Sequence, residues 1–285
     1  MKGKIMQTMQ SDVELGIGAG WRPELALAIE RYPRLGFVEV IAEDLDAGGP
    51  LPSPIRNLRE RGVAVIPHGV TLGLGGAEPP DPAGLKRLAR LATRTGAPFV
   101  SEHMAWVRAG GVESGHLLPL PRTREALDVL VENVQIARRA LPVPLALENI
   151  AALFEWPEAQ MDEADFLTEA LLRTDCLLLL DISNLYANAR NHGFDALDLL
   201  DRIPLERLAY VHIGGGIERD GLYHDTHRHP VVPEALALLE ELCARTEPPG
   251  IMLERDDDFP PEEELASELD ALATARERGV HRRAC

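Results

Sequence analysis

The sequence predicts a single (β/α)8 TIM barrel, and three features of the 285 residues support that fold. Short apolar runs alternate with amphipathic segments, and strands that are apolar throughout are typical of a parallel sheet buried on both faces. Eight such strand–helix units occur, which is the number that closes into a barrel. The chain has neither a Gly-rich dinucleotide turn after its first strand nor a P-loop, which disfavours an open, doubly wound sheet.

The units follow one another from residue 14 onward. The predicted strands are 14–18, 36–41, 63–68, 98–103, 144–149, 176–181, 207–212 and 250–254. The predicted helices are 22–32, 53–61, 82–95, 122–140, 163–173, 194–201, 232–245 and 261–278. Residues 106–122 form a longer loop after the fourth strand, which is typical of the lid or wall of a site. We expect residues 1–13 to be a flexible segment, 14–278 to form the barrel and 279–285 to be a tail.

Composition disfavours several classes of function. The formal net charge is −17, from 46 acidic and 29 basic residues, so the chain repels phosphate backbones and nucleic-acid binding is disfavoured. The three cysteines are far apart and odd in number, and predict neither a disulfide framework nor a cysteine zinc site. No signal peptide or membrane-spanning stretch is visible. We therefore expect a cytoplasmic protein with no membrane or nucleic-acid partner.

Six consecutive predicted strands end in a residue that can bind a metal ion. These residues are His68, His103, Glu148, Asp181, His212 and Glu254. All carboxyl ends of the strands in a barrel lie on one face, where the loops build active sites. One such residue is usually a satisfied polar group, but six in register are not expected by chance. Because like charges brought this close together require cations, the pattern predicts a metal cluster.

The loop after the seventh strand adds Asp225 and His227, two residues apart. The combined set has four histidines, four carboxylates and no cysteine, which suits zinc, manganese or non-heme iron. Eight ligands are too many for one ion, so two or three ions are expected, with a carboxylate such as Glu148 as a bridge. The residues alone establish only a redox-capable or Lewis-acid cluster.

Eight motifs carry a family resemblance. They are IPHGV (66–70), SEHMAW (101–106), LLPLPRTREALD (117–128), LALENI (145–150), LLDISNLYANARNHGFD (179–195), VHIGGG (211–216), HDTHRHP (224–230) and LERDDD (253–258). In combination they resemble the multinuclear non-heme iron-dependent oxidative enzymes, formerly a domain family of unknown function, which includes the iron oxygenase of methanobactin biosynthesis. The resemblance runs from about residue 16 to about residue 272 and implies a xylose-isomerase-like TIM barrel.

The resemblance also implies an activity and a set of ligands. Members use two or three iron ions (Fe2+/Fe3+) and dioxygen to oxidise cysteine or other residues of ribosomally made precursor peptides in natural product biosynthesis. They often act with a separate partner protein that presents the leader peptide. The implied ligands are His68, His103 and Glu148 for one ion, Glu148, Asp181, His212 and Glu254 for the second, and Asn184, Asp225 and His227 for the third. An Asn carbonyl is a weak neutral ligand, so the third site should be the loosest.

Two further residues are candidate catalytic groups. Glu39 and Glu43 flank the end of the second strand and could face the pocket, and Glu43 is the catalytic candidate of the two. His192 follows the sixth strand and could donate to the substrate or the cluster, although a loop-capping role fits its position equally well. Ser183 and Asp44 stand where the family commonly has asparagine, and these departures leave the substrate and product open.

Other functions fit the same barrel. A zinc- or manganese-dependent phosphoester hydrolase of the apurinic endonuclease type has a similar ligand order, a sugar isomerase is a third option, and a non-catalytic metal-storage or peptide-escort protein is a fourth. The acidic charge, Asn184 where the hydrolase would use histidine, and the lack of a basic DNA-facing patch favour the iron-dependent oxidase. An isomerase site is usually rich in carboxylates but has fewer histidines.

Overall fold

The computed structural model describes residues 13–284, and its strands and helices alternate along the chain. The strands are β1 (Gly16–Gly20), β2 (Leu35–Ile41), β3 (Ala64–Gly69), β4 (Val100–His103), β5 (Trp106–Ala109), β6 (Val112–Leu118), β7 (Leu145–Glu148), β8 (Leu177–Asp181), β9 (Leu208–Ile213), β10 (Gly216–Arg219), β11 (Leu222–Asp225) and β12 (Gly250–Leu253). The α-helices are α1 (Ala26–Arg31), α2 (Ser53–Glu60), α3 (Pro82–Thr95), α4 (Arg124–Ala140), α5 (Glu163–Thr174), α6 (Ile182–His192), α7 (Ala196–Arg202), α8 (Pro233–Arg245) and α9 (Glu262–Ala284).

Eight of these strands form a closed, parallel barrel, which confirms the predicted fold. Around the barrel the order is β1, β2, β3, β4, β7, β8, β9 and β12, and β12 pairs with β1 to close it. The remaining strands form two antiparallel hairpins, β5–β6 and β10–β11. Among the described residues, no helix combines the length and the apolar character that crossing a membrane requires.

The side-chain alternation of the strands determines what the barrel encloses. Residues such as Val38 and Val211 belong to a large apolar cluster shared with the helices. The intervening positions form a second, smaller cluster, which includes Phe37, Ile66 and Tyr210. Because successive side chains in a strand point to opposite faces, residues two positions further along lie on the same face as this second cluster. The candidate ligands at the strand ends therefore lie above an apolar layer of the barrel interior.

Glycine allows that layer to pack tightly in β1. A Cβ atom built on Gly18 would lie 2.4 Å from the ring of Phe37, so a larger residue would displace this aromatic side chain. Phe37 in turn packs edge-on against Tyr210, with ring centroids 5.9 Å apart. These contacts restrict the positions of the Phe37 and Tyr210 rings beneath the candidate ligands.

The structure corrects three element predictions. The expected loop 106–122 contains the β5–β6 hairpin, whose turn uses Gly110 and Gly111 at φ 59° and 76°. The sequence predicts one helix, 194–201, after the sixth strand, whereas the structure has two, α6 and α7. The last helix extends to Ala284 rather than ending at 278. The proposed N-terminal segment lies almost wholly outside the described residues, and the domain boundaries remain predictions.

Candidate metal centre

The strand-end residues meet at one end of the barrel, and their side chains form linked groups of possible ligands. His68, His103 and Glu148 form one group, Glu148, Asp181, His212 and Glu254 a second, Asp181, Asp225 and His227 a third, and His227, Glu254 and Asp256 a fourth. In each group the candidate ligand atoms lie within 4.8 Å of one another. The groups share members, so the cluster is continuous rather than a set of separate sites.

The first group is built from the ends of β3, β4 and β7. His68 Nε2 lies 3.5 Å and His103 Nε2 lies 3.3 Å from Glu148 Oε2. The two imidazole rings are 4.6 Å apart between centroids, and all three side chains are buried. The other ring nitrogen of His103 faces Glu102 Oε1 at 3.4 Å, so Nε2 is the nitrogen that faces the group.

The second group contains the other oxygen of Glu148. His212 Nδ1 lies 3.2 Å from Glu148 Oε1 and 3.2 Å from Glu254 Oε2. Asp181 completes the group and is fully buried. Because Glu148 turns Oε2 to one group and Oε1 to the other, its carboxylate has the geometry of a bridge between two ions.

The third group brings the hairpin β10–β11 to the barrel. His227 Nε2 lies 2.6 Å from Asp225 Oδ2 and 3.9 Å from Asp181 Oδ2. His227 has a φ of 50°, a left-handed conformation that is uncommon for a residue with a side chain. Its Nδ1 lies 3.2 Å from Asp256 Oδ2, a contact that the sequence-based ligand set did not include.

Asn184 lies beside the third group on the first turn of α6. Its backbone N–H donates to Asp181 Oδ1 at 2.8 Å, so Asp181 caps the helix while also belonging to the cluster. The Asn184 Nδ2 donates to the Asn149 carbonyl at 3.0 Å, which leaves Oδ1 as the amide atom available to a cation. Asn184 also lines the cavity above the cluster. Its role as a ligand remains a prediction.

Four carboxylate oxygens in the cluster are buried without a hydrogen-bond partner among residues 13–284. They are Glu148 Oε2, Asp181 Oδ2, Asp225 Oδ1 and Glu254 Oε2. Buried polar atoms normally have a partner, so orphaned atoms in one cluster indicate a missing ligand. Two donors each about 2.1 Å from one ion lie about 3.0 to 3.4 Å apart. The nitrogen–oxygen separations of 3.2 to 3.5 Å therefore fit shared metal ions.

The pKa values show how the cluster would balance its charge with protons alone. Burial would lower the pKa of His103, but the charges of Glu148, Glu102 and Glu254 and the hydrogen bond to Glu102 together raise it to about 9. Burial and the nearby Asp225 carboxylate raise the pKa of Asp181 to about 8. Burial would also raise the pKa of Glu148, but the histidines around it, His103 first, lower it to about 2. Metal ions would replace the protons held by the histidines.

The two candidate catalytic residues lie in different surroundings. Glu43 Oε1 accepts hydrogen bonds from the backbone N–H groups of Val70 and Thr71, at 3.1 and 2.9 Å, and thereby holds the loop after β3 at the cavity wall. His192 Nε2 lies 2.8 Å from the Ala152 carbonyl oxygen. His192 is not among the described residues that line the cavity, so its position fits the loop-capping alternative rather than a catalytic role.

Glu39, which the sequence places near the pocket but not among the predicted ligands or catalytic residues, makes the closest contact to His212. Glu39 is 1% exposed, and its Oε2 lies 2.8 Å from His212 Nε2. The alternation of side chains along β2 is the sequence feature that places Glu39 in the barrel interior. Glu39 is two residues beyond Phe37 and therefore faces the barrel interior, whereas Glu43 lies beyond the strand in a 3-10 turn.

A cavity of about 950 Å3 opens above the cluster. Its floor includes His68, His103 and Glu148, and its walls include the β5–β6 hairpin and the segment after β7. In that segment Leu153 and Phe154 are 47% and 44% exposed. The cavity is thus polar at its base and apolar along part of its wall, a combination typical of a binding site.

The fold and the ligand groups define a TIM barrel with a candidate multinuclear metal centre at its carboxyl-terminal end. The model of a family described as "RiPP precursor modification enzyme MbnB/TglH/ChrH" matches residues 16–277. The chain therefore belongs to this family, whose name denotes enzymes that modify ribosomally synthesised and post-translationally modified peptides. The membership confirms the resemblance that the motifs indicated.

The chain is also similar to curated relatives in sequence and to solved structures in fold. A UPF0276 protein of Streptomyces avermitilis is 51% identical over 280 residues, which cover 96% of this chain but only 57% of that relative. A UPF0276 protein of Caulobacter vibrioides is 39% identical, covering 92% of this chain and 94% of that relative. A xylose isomerase domain protein from Planctomyces limnophilus has a TM-score of 0.60 at 15% identity, covering 94% and 99% of the two chains. For an L-ribulose 3-epimerase the TM-score is 0.58 at 16% identity, covering 95% and 97%. These two structures share the fold.

Proposed function

We propose that this protein is a multinuclear non-heme iron enzyme that uses dioxygen to oxidise a residue of a ribosomally made precursor peptide. The observation that carries the proposal is the continuous ligand cluster, in which Glu148 and Asp181 each belong to two groups, beneath an open cavity. One iron would be held by His68, His103 and Glu148. A second would be held by Glu148, Asp181, His212 and Glu254, and a third by Asn184, Asp225 and His227.

The donor set supports iron. The clustered ligands are imidazoles and carboxylates, a combination that suits non-heme iron, whereas soft thiolate ligands are missing from the described groups. Iron bound there would supply one-electron redox chemistry toward dioxygen, which zinc does not provide. The chain itself would hold the ions, present the substrate and keep the charged groups away from bulk water.

Cysteine is the substrate residue that best complements this cluster. Several candidate ligands line the cavity, so a substrate thiolate entering there could add a sulfur donor that the described groups lack. The cavity has the volume of a typical ligand site and is open enough to admit a peptide segment. Leu153 and Phe154 offer apolar surface for the residues that flank the cysteine.

A separate partner protein that holds the leader peptide also fits this proposal. The cavity can bind a short peptide segment around the reacting residue, whereas binding of a leader peptide needs a longer surface. We place the reaction in the cytoplasm, because a substrate thiol stays reduced there. Cys176 and Cys243 are buried free cysteines, which fits the same compartment.

The proposal is tested with protein purified and loaded with ferrous iron in the absence of air. A cysteine-bearing precursor peptide encoded beside its gene is added, with and without neighbouring candidate partner proteins, and dioxygen is admitted. We expect oxygen consumption together with an oxidative mass change on the cysteine, and no mass change when that cysteine is replaced by serine. Cleavage of abasic-site DNA by a zinc-loaded, iron-free protein would instead support the hydrolase.

A further inference from the structure

A line of hydrogen bonds crosses the barrel interior and joins histidines of two ligand groups. His68 Nδ1 lies 2.8 Å from Ser101 Oγ, and Ser101 Oγ lies 2.6 Å from Tyr210 Oη. Tyr210 donates to Glu39 Oε2, and the same oxygen lies 2.8 Å from His212 Nε2. All five side chains are at most 3% exposed, so water does not compete for these bonds.

The chemistry of the five groups fixes the direction of every bond. The Glu39 carboxylate oxygen only accepts, so Tyr210 Oη–H and His212 Nε2–H both donate to it. A hydroxyl has one proton, so Ser101 Oγ–H must donate to Tyr210, whose own proton is already used. Ser101 then accepts from His68 Nδ1–H.

This direction determines which nitrogen of each histidine is left to bind a metal ion. With its proton on Nδ1, His68 presents the lone pair of Nε2, the atom 3.5 Å from Glu148 Oε2. With Nε2 donating to Glu39, His212 leaves Nδ1, which lies 3.2 Å from Glu148 Oε1, as the nitrogen whose proton a metal ion would replace. The two histidines thus use opposite ring nitrogens, and each one faces the cluster. Hydrogen bonds to the far nitrogen are the usual means of fixing the tautomer of a metal-binding histidine.

We propose that Glu39, Tyr210 and Ser101 are positioning residues through which one buried carboxylate sets the ligand nitrogens of both His68 and His212. The inference rests on the metal binding proposed above but not on iron or on peptide oxidation. The line has a graded consequence. Removal of the Tyr210 hydroxyl should affect the tautomer of His68 only, because Glu39 still contacts His212 directly. A change at Glu39 should affect both histidines.

The test uses Zn2+ as a diamagnetic probe of the full chain. Zinc affinities are measured by competition calorimetry, and the ring nitrogens of 15N-histidine-labelled, zinc-loaded protein are observed by NMR. In the wild type we expect the His68 signals of a protonated Nδ1 and a metal-bound Nε2. In Tyr210→Phe we expect zinc binding at the His68 group to weaken about 10- to 100-fold, the usual effect of losing such a partner, while binding at the His212 group is retained.

Two variants complete the design. Ser101→Ala should reproduce the effect of Tyr210→Phe, and Glu39→Gln should weaken both groups. The matched control is Tyr32→Phe, which removes another tyrosine–carboxylate hydrogen bond, 2.8 Å to Asp270 on the outer surface of the barrel, and should leave zinc binding unchanged. Thermal unfolding of each variant identifies any general loss of folding.

The outcomes separate this inference from the proposed function. Equal zinc affinities and an unchanged His68 tautomer in Tyr210→Phe would overturn the inference, whatever the activity of the enzyme. A zinc-binding protein that shows the graded pattern but never oxidises a peptide would support the inference and refute the proposed function.

Discussion

Glu148 Oε1 lies 3.2 Å from His212 Nδ1, and this contact places the buried carboxylate between two groups of ligands. Its other oxygen faces His68 and His103 and has no hydrogen-bond partner within residues 13–284. The two oxygens of Glu148 thus face different histidines, so the one carboxylate could bind two ions. Because Glu148 belongs to two groups of candidate ligands, we expect both groups to depend on its carboxylate.

Replacement of Glu148 by glutamine should therefore remove more than one ion. The amide keeps the shape of the side chain but loses the charge and one of its two acceptor atoms, so the ions at the first and second groups should both be lost or bind at least 10-fold more weakly. Metal content after anaerobic iron loading and desalting measures this effect. Glu169→Gln, on an exposed helix position, is the control and should retain the wild-type content.

Asp225→Asn and His227→Ala should have a smaller effect. Both residues belong to the hairpin side of the cluster, and neither belongs to the two groups that contain Glu148. We expect the iron content to fall by about one ion per chain, while the pair at Glu148 remains. Loss of all iron in either variant would contradict the division into a central pair and a more weakly bound third ion.

Metal binding should release protons and strengthen as the pH rises. Burial lowers the pKa of His103, but the charges of Glu148, Glu102 and Glu254 and the hydrogen bond to Glu102 together raise it to about 9 without metal. At pH 7 the ring therefore carries a proton that a metal ion must displace. Calorimetry in two buffers of different ionisation enthalpy should show proton release, and the affinity should increase between pH 6 and about 9. A pH-independent affinity would refute this assignment.

Glu163 should make the fold less stable at alkaline pH for a reason unrelated to the metal centre. Burial raises the pKa of this carboxyl to about 7, although the Nδ2 of Asn188 donates to it at 3.1 Å. A carboxyl whose pKa is raised on folding contributes stability below its unfolded pKa near 4.5, and this contribution is lost as the pH rises through 7. Glu163→Gln should match the wild type at pH 4 and exceed its free energy of unfolding by about 2 kcal/mol at pH 8. Denaturant unfolding at both pH values measures the difference.

The sequence predicted the barrel and the strand-end residues because both depend on simple periodicity. Strands buried on both faces are apolar at every position, and a parallel barrel collects all strand ends on one face. His68, Glu148 and Asp181 are polar residues at the ends of such runs, so they were visible without a structure. Strand boundaries still differ by one or two residues, as is usual at element ends.

The missed features depend on contacts between distant segments. The helix α6 begins directly after Asp181, whose side chain caps it, and its polar sequence resembled a loop. The hairpin β5–β6 has a turn of two glycines and no long apolar run. The line from Ser101 to Tyr210 and Glu39 joins residues 109 and 171 positions apart, and their alignment depends on the register of the closed barrel.

Anomalous diffraction at the iron absorption edge, from crystals grown without air, tests the central claim most directly. We predict one strong peak between His103 and Glu148 and another between Glu148 and His212, with a weaker third peak beside Asp225. Data collected below the iron edge should lose these peaks. Peaks that do not change across the iron edge but increase above the zinc edge would contradict an iron-dependent oxidase. The absence of any peak beside Glu148 would contradict it as well.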